Sequence, residues 1–350
     1  MNSKKKLNEY SFAYGILCFS VIYIHLNIVP KGFDTYSWNI NSALFTKFLH
    51  IIISFTVPTF FMLWGFLSGK YLSTSVKPFV FFKTKIVQFW PLYILFSIPV
   101  LFNIVIKTGP ATLLPIHSTI LAVLGFGNFF GSHIMMGLFF SISVIAIVKS
   151  LPKPLVNFTL YSISLIITST FIPEGSTLFK EGIAFHTAFC AGVTLYHFNY
   201  FQPKSKIEKG IVFTTLIIGA ACFFSTLFYK SIIPSDFPNS PGHTFMSLAA
   251  TFGFIHLIKK FSAYIPKSLW FYICIIGNAA FAHLVIHLHV MNAIVTISEY
   301  NKANPILVQI FLFTFTSPIS IFLIYYPYLK IKSLVLKPLY GTLKPANVSK

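Results

Sequence analysis

KKFSAYIPKSLWFYICIIGNAAFAHLVIHLHVMNAIVTISEYNKANPILVQIFLFTFTSPISIFLIYYPYLK, residues 259–330, decides the fold of this chain. Three lysines (Lys259, Lys260, Lys267) open it, and no charged residue follows from Ser268 to Ser298. Glu299 and Lys302 mark a short polar turn. A second uncharged run then reaches Leu329, and Lys330 closes it. About 20 apolar residues are enough to cross a bilayer as a helix. In lipid the backbone must satisfy its own hydrogen bonds, so such runs are helices. The stretch therefore reads as two spans joined by a tight turn. The lysines gather at the ends opposite that turn, and that side is the cytoplasm.

The same pattern repeats along all 350 residues. Spans are expected near 11–29, 43–67, 84–106, 133–149, 155–172, 182–198, 210–229, 243–261, 269–297 and 305–329. The expected fold is all-α: a polytopic membrane protein of about ten transmembrane helices. Residues 1–350 form a single membrane-embedded domain, with cytoplasmic N- and C-termini. Segment 112–130 is apolar but broken by Gly and Pro, and reads as a re-entrant or interfacial helix. The basic start MNSKKKLNEYSF precedes a first span with no small-residue cleavage site, so that span is expected to stay. In this arrangement 20 lysines fall inside and 6 outside, and Asp34, Glu174, Glu181, Asp236 and Glu299 fall outside.

Composition agrees. The chain is 55% hydrophobic and 9% charged, against about 25% charged for a soluble domain. All 26 basic residues are lysines. The net charge of +19 would suit nucleic acid, but lysines at span ends serve headgroups and orientation instead. Cys18, Cys190, Cys222 and Cys274 stand singly in apolar segments. No zinc-ligand spacing or disulfide framework follows from them.

Ionisable groups inside spans are costly and tend to face a cavity or a partner. Here they are mostly histidines. His25 lies toward the outer end of the first span. His283 and His287 are four apart and share one face of the ninth span, while His289 points away. His133, His186 and His243 sit near outer span ends, and His50 lies in the second span. A neutral imidazole can take a proton from a hydroxyl and return it. It can equally pack between helices, bonded to a carbonyl. For one histidine the two readings weigh alike, several at one depth favour chemistry, and His117, His197 and His256 read as packing. Metal binding ranks low, because no acid lies near them within a span. Pro58 is expected to kink the second span. Lys77, Lys83 and Lys85 precede the third span, where they meet nucleotide phosphates or lipid headgroups. GFGNFFG at 125–131 lacks dinucleotide-loop spacing.

In their order, these segments resemble acyltransferase family 3, integral-membrane enzymes that O-acylate cell-surface polysaccharides. AYGILCFSVIYIH (13–25) resembles the family's first helix, which ends in a His. VPTFFMLWGFLSGKYL (57–72) resembles its FFxxSG segment. FFKTKIVQFWPLYIL (81–95) resembles its basic entry to the third helix, and IIGNAAFAHLVIHLHV (275–290) its late helix ending in His. FCAGVTLYHF (189–198) adds a weaker match. The resemblance implies that His25 is catalytic and that His287 is the late-helix His; His283 or His287 is then expected to orient the acceptor substrate or stabilise the developing charge. It implies that Lys83 or Lys85 meets acyl-CoA. Tyr14 stands where the family carries an Arg, eleven residues before the His, and is expected to share a face with His25. Trp64 replaces the Ser of the SG pair, and Leu284 a Tyr.

The expectation is thus a bacterial inner-membrane O-acetyltransferase acting on an O-antigen or capsule unit. Its donor is acetyl-CoA or another acyl-CoA, it has no bound cofactor, and its partners are a surface glycan or lipid-linked sugar and membrane lipid. The rivals are a transporter or flippase of lipid-linked sugars, a glycan polymerase, and an inactive relative. The first predicts repeats or intramembrane acid–base pairs. The second predicts a larger outer loop with cations. The replacement of the family Arg by Tyr14 keeps the third.

Overall fold

The computed structural model describes residues 3–26, 55–108, 132–168, 177–228, 241–302 and 304–331. Among these every regular element is helical and no strand occurs. The helices are α1 (Ser3–Leu26), α2 (Thr56–Gly69), α3 (Pro78–Thr108), α4 (Ser132–Lys149), α5 (Pro154–Thr168), α6 (Thr177–His197), α7 (Lys206–Phe228), α8 (Pro241–Phe261), α9 (Lys267–Asn278), α10 (Ala280–Tyr300) and α11 (Pro305–Pro318). A 3-10 turn, Lys70–Ser73, follows α2, and a π-helical stretch, Ile319–Tyr325, continues α11. Segment 112–130, His50, His117, the first half of span 43–67 and the lysines beyond Ile331 lie outside the described residues.

Three of the helices are long and apolar enough to cross a membrane: Lys206–Ser225, Ala280–Glu299 and Leu307–Ile331. Ile134–Lys149 and Pro154–Ile167 are apolar and shorter. The distribution of polarity suits a lipid solvent. Phe213, Ile217, Phe224, Leu307, Ile310 and Leu323 face outward, while Ser141, Thr251, His283, Thr316 and Ser320 are buried. A water-soluble bundle would place these two groups the other way round.

Pairs of contacts fix the directions of the helices. Tyr14 meets Phe60 and Tyr10 meets Phe66, so α1 and α2 are antiparallel. Tyr71 stacks on Phe81 and Trp64 meets Phe89, so α3 is antiparallel to α2. Phe61 stacks on Phe185 and Gly69 abuts Tyr196, so α6 is parallel to α2. Gly182 abuts Met136 and His186 meets Ser141, so α4 is parallel to α6. Phe55 meets His243 and Thr59 bonds Thr251, which makes α8 parallel to α2 as well. Ser11 meets Asn278 just before α10 and His25 meets His287 within it, so α10 runs with α1, while α9 crosses α1 at Ser11 and Gly15. Two opposed sets result: α1, α3 and α10 against α2, α4, α6 and α8. Thr108, which ends α3, and Ser132, which begins α4, therefore lie at the same end of the bundle.

Small residues let the backbones close up. A Cβ at Gly277 would strike the Ser11 carbonyl and come 2.7 Å from the Gly15 nitrogen. The Ser11 hydroxyl donates to Asn278 Oδ1 at 2.6 Å beside this crossing. On α2, a Cβ at Gly65 would strike the Phe189 carbonyl of α6. The Lys149 ammonium ends α4 and donates to the carbonyls of Tyr71 (3.2 Å), Leu72 (2.9 Å) and Thr74, closing the C-terminal end of α2. Ser205 and Glu208 form a capping box at the start of α7. The Ser205 hydroxyl accepts the Glu208 N–H at 3.1 Å, and the carboxylate accepts the Ser205 N–H at 2.9 Å.

One expectation is corrected in detail. Span 269–297 is not one helix. Ala279 sits at φ −102°, ψ 12°, and divides it into α9 and α10. The run Gly277–Asn278–Ala279 offers little helix-packing bulk, and Asn278 is drawn to Ser11. Pro58 stands in the first turn of α2, and the part of its span before Phe55 lies outside the described residues. Pro318 stands directly before the π-helical stretch.

Candidate functional site

His25 is the penultimate residue of α1. Its ring lies 5.1 Å from that of His287, centroid to centroid, tilted by 41°. His283 and His287 are one turn apart on α10, and their rings stack at 5.0 Å and 10°. The i, i+4 spacing puts them on one face. That face meets α1 because Gly15 and Gly277 bring α1 against α9 just below. His283 is 0% and His287 1% exposed, whereas His25 is half-buried.

Hydrogen bonds settle part of the protonation pattern. His287 Nδ1 lies 2.8 Å from the His283 carbonyl. A carbonyl can accept but not donate, so Nδ1 carries the hydrogen. In a neutral ring Nε2 then holds a lone pair, and it is buried with no hydrogen-bond partner. His283 Nε2 lies 3.0 Å from the Ser317 hydroxyl on α11, and His283 Nδ1 has no partner. The arrangement offers one half-exposed imidazole beside a buried imidazole whose free nitrogen can accept a hydrogen bond. Among the described residues, no group of three or more His, Cys, Asp or Glu side chains is placed to hold a metal ion.

The other expected site residues lie apart. The Tyr14 hydroxyl makes a long 3.5 Å contact with the Phe60 carbonyl, and its ring packs on Phe60 at 4.8 Å. Tyr14 thus faces α2, whereas His25 faces α10. Eleven residues return a helix to nearly the same face, but the neighbours of α1 change along its length. Lys83 and Lys85 occupy the first turns of α3. Lys83 is exposed. Lys85 Nζ lies 6.0 Å and 5.7 Å from the ring centroids of Phe81 and Phe89 and 3.4 Å from Gln88 Oε1. Phe89 in turn contacts Phe281 at 4.0 Å, in the first turn of α10. At 1.5 Å per residue along α3 and α10, Lys85 and His287 are separated by about 15 Å along the helix axes.

Two groupings escape the sequence. The first is the set of hydroxyls at Thr316, Ser317 and Ser320, all fully buried. Pro318 in an apolar run is the one signal for it. The second centres on His186. Tyr161 Oη lies 2.7 Å from its Nε2, and Ser141 Oγ 3.2 Å from its Nδ1. The Ser141 hydroxyl donates to the Gly137 carbonyl at 2.6 Å, so it must accept from Nδ1–H, and Tyr161 donates to Nε2. Both nitrogens are satisfied, which is the geometry of a packing histidine. A cavity of about 670 Å³ also lies between α1, α2, α7 and α8, lined mainly by apolar side chains such as Leu17, Phe55, Phe223 and Met246.

The chain was compared with family models, curated proteins and solved structures, and none of them matches it.

Proposed function

We propose that this protein is a bacterial inner-membrane O-acyltransferase. It moves an acyl group, acetyl in the simplest case, from acyl-CoA to a hydroxyl of a surface polysaccharide such as an O-antigen or capsule unit. The observation that carries the reading is the meeting of His25 with His287, from opposite ends of the sequence.

In this reading His25 is the half-exposed member and takes the proton from the acceptor hydroxyl. The imidazolium that forms has two N–H groups. One points to the acceptor oxygen, and the lone pair on His287 Nε2 receives the other. His287 is held for this by its own bond to the His283 carbonyl. The pair acts as a base with an orienting partner, a neutral imidazole standing where many enzymes use a carboxylate. Lys83 and Lys85 meet the donor phosphates as point charges. Their distance of about 15 Å from His287 along the helix axes lets a long thioester arm bring its acyl carbon to the histidines.

About ten crossings with both termini cytoplasmic complete the proposal. The two opposed helix sets support it, because they match the alternation expected from the lysines. An extra crossing between α3 and α4 would make those helices parallel, so their opposition supports a segment 112–130 that does not cross. Mass spectrometry of the surface polysaccharide, with and without the gene, tests the function. Loss of one acyl mass per repeat is the expected result. Shortened glycan chains of unchanged repeat mass would favour a polymerase, and an unchanged glycan would end the acyltransferase reading.

A further inference from the structure

Buried hydroxyls in these helices usually donate to the carbonyl four residues back. Ser141 bonds Gly137, Ser162 bonds Phe158, Thr187 bonds Ile183 and Thr251 bonds Ser247. The cluster around Pro318 departs from this habit. Thr316 and Ser320 are 0% exposed, and neither hydroxyl has a hydrogen-bond partner. Ser317, also 0% exposed, turns to His283 Nε2 at 3.0 Å. Ser320 lies in the π-helical stretch Ile319–Tyr325, where the carbonyl register differs from that of an α-helix, and Thr316 and Ser317 lie just before Pro318 at the end of α11. π-helical turns recur at functional sites because they turn side chains away from the regular lattice. His283, which Ser317 meets through Nε2, also keeps a buried and unpartnered Nδ1. Idle polar groups in an apolar interior are unfavourable unless a polar ligand uses them.

We propose that the hydroxyls of Thr316, Ser317 and Ser320 form the donor set that receives the acyl oxygen during transfer. The inference rests on the acyl-transfer reading above and names the part of the site that binds the reacting carbonyl. The acceptor O–H bond breaks and its proton goes to His25. The freed oxygen pair forms a C–O bond to the thioester carbon, and the carbonyl π pair moves onto its oxygen. The hydroxyls donate to that oxyanion. When the carbonyl re-forms, the C–S bond breaks, its pair leaves on the CoA sulfur, and His25 returns the proton there. No oxidant or reductant is needed. Hydroxyls released from back-bonding are pre-aimed donors, which is what charge developing in a dry site requires.

The test uses the full-length protein in proteoliposomes, with acetyl-CoA and purified polysaccharide. Ser320→Ala and Thr316→Val should each lower kcat on the order of 10²–10³-fold, the effect of losing one oxyanion donor, with KM for both substrates unchanged. Ser320→Thr keeps a hydroxyl and should keep the rate. Without substrates, the Ala and Val variants should melt at or above the wild-type temperature, because each removes an unpaired buried hydroxyl. Normal kcat in both variants overturns the proposal while leaving the acyltransferase reading intact. A lowered melting temperature with normal kcat overturns it too, by making the hydroxyls structural. A wild type that transfers no acyl group removes the function and this donor set together.

Discussion

His287→Asn separates the two nitrogens of the buried imidazole. Nδ1 sits 2.8 Å from the His283 carbonyl. An Asn amide nitrogen reaches the Nδ1 position and puts nothing at Nε2, so the backbone-directed bond survives and the lone pair beside His25 is lost. The fold should tolerate this. A buried nitrogen without a partner is unfavourable by roughly 1–3 kcal/mol, and its removal offsets part of the packing lost with the ring. The rate should not tolerate it. A positioned base contributes roughly 10²–10⁴-fold, equal to about 3–5 kcal/mol of barrier at about 1.4 kcal/mol per decade. His25→Gln forfeits that whole contribution, because an amide accepts hydrogen bonds but takes up no proton. His287→Asn forfeits the share due to orientation and imidazolium stabilisation. The two rings are 5.1 Å apart and serve one proton, so the double variant should be no slower than His25→Gln alone. Independent effects would multiply instead. The assay follows CoA thiol release in proteoliposomes, and glycan mass confirms acyl transfer. Either single variant retaining most of its rate, or losses that multiply in the double, would refute the paired mechanism.

Reporter fusions after Lys70, Lys209 and Lys267 should all report cytoplasm. A periplasmic signal at Lys209 beside a cytoplasmic one at Lys70 would break the proposed topology. Lys83→Ala with Lys85→Ala should raise the apparent KM for acyl-CoA, whereas Lys337→Ala with Lys344→Ala should not; equal effects in a titration of donor would make these lysines lipid anchors. His186→Leu leaves the Tyr161 hydroxyl without its imidazole acceptor, while Ser141 keeps its bond to the Gly137 carbonyl. The lost acceptor is worth about 1–3 kcal/mol, so melting temperature should fall with kcat unchanged in the surviving protein. Gly65→Leu should abolish accumulation of the folded protein, read by size-exclusion chromatography, because α2 cannot then approach the Phe189 carbonyl.

Hydropathy made the helical class legible, and three of the described helices are long and apolar enough to cross a membrane, because length and composition are properties of each segment alone. Pairing is a different matter. Nothing in AYGILCFSVIYIH says that it will lie against KSLWFYICIIGN, since Gly15 and Gly277 become informative only once they face each other. His283 and His287 were visible as an i, i+4 pair, and His25 as an imidazole at a span end. Their convergence was carried by resemblance alone. Tyr14 shows the limit of periodicity: a shared face does not mean a shared neighbour. Thr316 and Ser320 escaped because hydroxyls in apolar helices normally bond their own backbone. That these two are left unpaired is a tertiary outcome. Ala279 was missed for a similar reason, because hydropathy runs through the break without a dip.

The Ser11–Asn278 bond joins residues separated by 267 positions. A ribosome extends the chain from its N-terminus, so α1 is made well before its partner surface. Until α9 and α10 follow, the groove that α1 will fill does not exist, and His25 has no His287 to meet. The histidine pair is therefore a late product of assembly. Chains that stop before α9 carry His25, Lys83 and Lys85 but neither His287 nor the buried hydroxyls of α11. A separately expressed α9–α11 fragment has a defined docking edge to restore, the glycine-lined side of α1.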